Sequence, residues 1–135
     1  MHAKRLLLLS LVLSAGCKPP TAAEQVDSVL SWIGTAGMAG DAWLRHTTPD
    51  AYTRQTLELS RRNLGQISKD LLVSPPPKTD AAALDSVLTG VRERIARMAA
   101  LITARNAPAF TSELDSLRVD QKTVKQFSDR LESGQ

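Results

Sequence analysis

The sequence contains one cysteine, Cys17, so no disulfide can close within the chain. Haem attachment through Cys-x-x-Cys-His fails on the same count. Beyond the second residue there is a single histidine, His46. Aromatic residues make up only 4% of the chain, so a core has to be built from Leu, Ile, Val and Ala. Such a core suits packed helices better than sheets, which favour aromatic and β-branched residues. No charge sign dominates: 17 basic residues stand against 14 acidic ones. A nucleic-acid binder carries a large basic excess or a basic stripe, so no nucleic-acid partner is expected. The apolar run from Leu6 to Leu13 is far short of the ~20 residues that span a bilayer. Chemistry-bearing motifs are also missing. There is no Gly-x-Ser-x-Gly elbow, no phosphate-cradling loop, no dinucleotide fingerprint and no Glu-x-x-His pair of the kind that builds di-iron sites in helical bundles. The one thiol and the one interior histidine have no evident activating partner, so no catalytic residue is assigned and an enzyme is not expected.

What is present begins at the N-terminus. Met1 to Arg5 form a short basic start, Leu6–Leu13 an apolar stretch, and Ser14, Ala15 and Gly16 a run of small residues. That order fits a secretory signal. The segment Leu13-Ser14-Ala15-Gly16-Cys17 resembles the lipobox of bacterial lipoproteins, with Ser14 where Leu is commoner. The resemblance covers residues 1–17 and implies that residues 1–16 are cleaved as a signal peptide. It implies that Cys17 is the lipidation site, carrying a diacylglycerol and an acyl chain such as palmitate as the only covalent group, with no other cofactor. It also implies a partner in the membrane itself and a place in the cell envelope. In the best-known sorting scheme Asp directly after the cysteine retains a lipoprotein in the inner membrane. Lys18 stands there, which points to the outer membrane facing the periplasm. Loss of Lys4 and Arg5 with the signal leaves fifteen basic residues against fourteen acidic ones.

A chain of this length argues for one domain. Residues 17–21 read as the lipidated cysteine and a Pro-rich tether, stiffened by Pro19 and Pro20. At ~3.3 Å per residue, the domain begins within roughly 15 Å of the membrane. Residues 22–132 read as a helical bundle. Thr21 and Glu24 form a capping box that starts a first helix near Ala22, with Val26, Val29, Leu30 and Ile33 on one face. Gly34, Gly37 and Gly40 recur every third residue; either they break the helix or they admit a close neighbour. Trp43 and Leu44 are expected to face inward. A second helix is expected with Thr48 as cap and Pro49 in the first helical position, striped by Leu57, Leu64, Ile67 and Leu71. Ser74-Pro75-Pro76-Pro77 ends it. Thr79 is expected to cap a third helix, in which Leu84, Leu88, Val91, Ile95, Met98 and Ile102 alternate spacings of four and three. Glu93 and Arg97 form an expected i,i+4 pair on its solvent face. After the turn Asn106-Ala107-Pro108, a fourth helix carries Phe110, Leu114, Leu117, Val124, Phe127 and Leu131, interrupted by Gln121.

Short connections make neighbouring helices antiparallel. The expected fold is therefore all-α, an antiparallel up-down four-helix bundle. If the glycines break the first helix, a three-helix bundle with a short extra helix replaces it. The tether and the Pro75–Pro77 turn then share one end, and Thr47–Pro49 and Asn106–Pro108 the other. The far end gathers Trp43, His46, Tyr52 and Arg105 as candidate ligand-binding residues, aromatic and cationic groups of the kind that line small pockets. Asp41 and Asp50 flank His46 but also serve as helix-end residues, so no metal ligand is assigned. The expected function is a membrane-anchored, non-enzymatic interaction or structural module with an envelope protein as partner. The alternative is a binder of a small ligand or metal at the membrane-distal end.

Overall fold

The computed structural model describes residues 18–134. The expected signal segment 1–16 and Cys17 lie outside the described residues. Four helices follow residues 18–21: α1 Ala22–Leu44, α2 Asp50–Val73, α3 Lys78–Thr103 and α4 Ala107–Glu132. Each packs on its neighbours in sequence, and α4 closes the ring on α1, giving an antiparallel up-down four-helix bundle. Among the described residues there is no strand, and no helix is long and apolar enough to cross a membrane.

The stripes read from the sequence are the core. Val26, Val29 and Ile33 of α1, Leu57, Leu64, Ile67 and Leu71 of α2, all six seam residues of α3, and Phe110, Leu114, Leu117, Val124 and Phe127 of α4 are buried together. Leu30, Trp43, Leu44 and Leu131 pack half-buried against its margin. The bundle contains one continuous first helix, so the three-helix alternative does not apply. Two of the three glycines meet α4. A β-carbon built on Gly40 would lie 3.2 Å from Leu114 Cδ1 and from the Phe110 ring, and one on Gly34 would lie 3.5 Å from Gln121 Nε2. The residue that interrupts the α4 stripe therefore occupies the space that a missing side chain leaves on α1. Gly37 meets nothing within 4 Å.

Helix starts differ from expectation in three places; α4 already begins at Ala107, with Pro108 in its first turn, where a turn over residues 106–108 was expected. The Thr21 hydroxyl does accept the Glu24 N–H, at 3.2 Å. Pro49, however, is the N-cap of α2 rather than its first helical residue, and the Thr48 hydroxyl meets that of Thr53 at 2.9 Å instead of capping. Likewise Pro77 is the N-cap of α3, so Thr79 lies inside the first turn. Both prolines hold ψ near 150°, an extended value compatible with their locked φ, and their carbonyls accept the first helical N–H groups. Arg97 does not pair with Glu93. It reaches across to α4, where Glu113 accepts from Arg97 Nε at 3.1 Å and from Arg94 Nη1 at 2.7 Å. Arg94 Nε also reaches Asp120 at 2.9 Å. A carboxylate shared by two guanidinium groups in a half-buried groove outcompetes a solvated pair on one helix.

Candidate functional site

The far end of the bundle is built by two helix endings of the same kind. At the end of α1 the His46 N–H donates to Trp43 O and the Thr47 N–H to Ala42 O, both at 2.9 Å. At the end of α3 the Arg105 N–H donates to Ile102 O and the Asn106 N–H to Leu101 O, both at 3.0 Å. This pair of bonds satisfies carbonyls that a helix end leaves orphaned, and it needs a left-handed residue just past the cap. His46 supplies it at φ 59° and Arg105 at φ 53°. Asn106 then turns the chain into α4, its side-chain oxygen accepting the Ala109 N–H at 3.1 Å.

Between these endings lies an open cleft of about 360 Å³, lined by Trp43, Leu44, His46, Asp50, Arg105 and Ala107. Trp43 is its fixed wall. Its ring packs on Phe110 with centroids 4.7 Å apart at a tilt of 55°, and its Nε1–H donates to Asp50 Oδ1 at 2.8 Å. The indole thus ties the last turn of α1 to the first residue of α2 and orients the Asp50 carboxylate. His46 and Arg105 are exposed on the rim. An aromatic wall, an oriented carboxylate and a guanidinium on one small concavity can receive a small polar molecule; nothing in the arrangement provides an activated nucleophile.

Three of the four residues expected at this end, Trp43, His46 and Arg105, line the cleft. Tyr52 does not: it stands two residues into α2, points to solvent and is 58% exposed. Its helix begins one residue later than expected, and its neighbour Thr53, not Tyr52, turns inward. Leu44, Asp50 and Ala107 were not expected as lining residues. Asp50 reads in the sequence as an acid favourable at a helix start, and its spacing of seven from Trp43 across a turn was the available signal. Asp41, the other acid flanking His46, is ion-paired with Arg118 of α4. Among the described residues no group of three His, Cys, Asp or Glu side chains converges in a way that holds a metal.

The class that these features define is the small up-down helical bundle with a polar cleft at one end. No protein-family model, no curated protein and no solved structure matches the chain.

Proposed function

We propose that the chain is a lipid-anchored protein of the cell envelope, attached through Cys17 and directed to the outer membrane facing the periplasm, whose bundle is a non-enzymatic interaction or structural module. The observation that carries this reading is the lipobox-like segment Leu13–Cys17, with its single thiol directly after Ala15 and Gly16, four residues before the Thr21 cap of α1. Two acyl chains hold a protein far more firmly than one, at ~0.8 kcal/mol per buried methylene. The anchor therefore supplies the membrane affinity, and the bundle is free to present helix faces to a protein partner.

Labelled fatty acid is expected to enter the wild-type protein in cells, and Cys17→Ser is expected to block signal removal and lipid labelling together. Unlabelled wild-type protein would refute the anchor. Crosslinking in the native envelope is expected to capture a stoichiometric protein partner of the anchored bundle.

A second reading, binding of a small polar ligand or a metal at the far end, is favoured by one observation. α4 ends with Gly134 in the left-handed conformation, at φ 73°, whereas α1 and α3 place His46 and Arg105 there. Two long polar side chains held in a backbone conformation that favours glycine, on one cleft, are what a recognition site would need. A thermal-shift screen of small zwitterions and divalent metals tests it. Shifts in the wild type that disappear in His46→Ala and Arg105→Ala support it, and none in the wild type sinks it.

A further inference from the structure

We propose that the tether end of the bundle does not stand clear of the bilayer but rests in its surface, with Leu72, Val73 and Pro75 entering the lipid interface. The inference rests on the lipoprotein reading and adds a second contact to the anchor. Leu72 and Val73 are the most exposed large apolar residues described, at 79% and 84%, and they are consecutive on the last turn of α2. Ser74 and three prolines follow.

The loop is also suited to the headgroup region of a bilayer. Prolines carry no N–H, and the Ser74 N–H already donates to Asp70 O at 3.1 Å. From Ser74 to Pro77 every backbone donor is therefore absent or satisfied, which lowers the cost of resting the loop in the headgroup region, where water still reaches its carbonyls. Behind it the apolar surface continues into a groove of about 110 Å³ between α2 and α3, floored by Leu71, Pro76, Ala81 and Leu84.

Position selects the occupant. Pro19 and Pro20 line a cleft with Val73 and Ser74, so the tether passes alongside this patch. Cys17 is two residues before Pro19, a reach of at most ~7 Å. A lipid on that sulfur brings the bilayer surface to the patch before any soluble partner. Charge selects the mode. Lys18, Lys69, Lys78 and Arg130 at this end are offset by Glu24, Asp70, Asp80, Asp85 and Glu132, so the contact is apolar and does not depend on anionic lipid. The acyl chains provide affinity, and the patch sets orientation. The long axis then stands off the membrane, and the cleft at Trp43 lies about 35 Å out, the length of a 24-residue helix.

The test uses the acylated mature protein in phosphatidylcholine vesicles containing brominated lipid. Leu72→Trp, at a solvent-facing position, adds an indole to the native Trp32 and Trp43; its helical circular dichroism is expected to match the wild type. With residue 72 seated ~5–10 Å into the interface, Leu72→Trp is expected to lose about one third of its emission to bromine, the share of one indole in three, while wild-type emission is unchanged. The loss is expected to persist at high salt. Acylated, vesicle-bound Leu72→Trp that is not quenched overturns the proposal, whether the patch is then free or covered by a second copy seen by crosslinking. Quenching of the native tryptophans, as in a bundle lying flat, overturns it too, as does quenching that vanishes with salt. Protein that carries no acyl mass and does not float with vesicles fails earlier, at the anchor, and takes both readings down.

Discussion

His46 and Arg105 each hold a backbone conformation that costs an L-residue about 1–2 kcal/mol. The bundle tolerates it because the two helix-ending hydrogen bonds at each site leave no other turn that closes so tightly onto the next helix. Glycine would hold the same turn without the clash of its β-carbon, at some loss to the entropy of the unfolded chain. His46→Gly and Arg105→Gly are therefore each expected to raise unfolding stability by ~0.5–1 kcal/mol, read as a shift in the denaturant midpoint at constant m-value. A loss of stability in either would show that the side chain, and not the backbone, is what the site depends on.

Among the elements, α1 illustrates how one spacing carries different meanings. Gly37 and Gly40 are identical to any local rule, and each weakens a helix by about 1 kcal/mol relative to Ala. A β-carbon at residue 37 meets nothing within 4 Å, whereas one at residue 40 meets Leu114 and the Phe110 ring at 3.2 Å. Gly37→Ala is expected to stabilise by up to ~1 kcal/mol. Gly40→Ala is expected to gain nothing or to destabilise, because Phe110 is itself fixed against Trp43 and cannot yield freely. Thermal melts of the two variants side by side decide it; equal gains would mean that α4 does not approach α1 at Gly40.

The α3–α4 interface carries a pH dependence. Hydrogen bonds from Arg97, then Arg94, hold the Glu113 carboxyl below its ordinary value of 4.5, against a partial burial that pushes it up. The folded state thus binds that proton less readily than the unfolded chain. The stabilisation is complete above about pH 4.5 and is lost as the pH falls through the lower folded value. Glu113→Gln is expected to cost about 1 kcal/mol near neutrality, the upper end for a solvated ion pair. The gap between variant and wild-type melting temperatures should narrow in acid, and a gap independent of pH would contradict the assignment.

At the scale of the whole molecule, closure is the deciding event. α4 supplies one side of two of the four helix contacts and meets α1 through Arg118 on Asp41 and through Ser128, whose hydroxyl donates to Asp27 at 2.7 Å. Without α4 the buried faces of α1 and α3 would open to water. A chain ending at Asn106 is expected to lose cooperative unfolding and to bind hydrophobic dye, because helices of this kind draw most of their stability from packing. A sharp melt in that truncated chain would show that three helices suffice. Closure also separates the two ends. Asp80 paired with Arg130 at 3.2 Å, and Pro19 and Pro20 beside Val73, mark one; Trp43 between Asp50 and Phe110 marks the other.

Local chemistry alone determined the core and, to within about two residues at each start, the helix spans. Prolines at 49, 75–77 and 108 stop or start helices wherever the chain goes, and the spacing of Leu84 through Ile102 states which side is dry before any partner is known. The tertiary structure decided what depends on a neighbour's approach: that the glycines of α1 stay helical under Gln121, Leu114 and Phe110, that Arg97 turns to Glu113 and not to Glu93, and that Asp50 rather than Tyr52 joins Trp43, His46 and Arg105. Helix periodicity reports which face is apolar, but the rotation of a helix end and the distance to the next backbone are set only when all four apolar faces are satisfied at once.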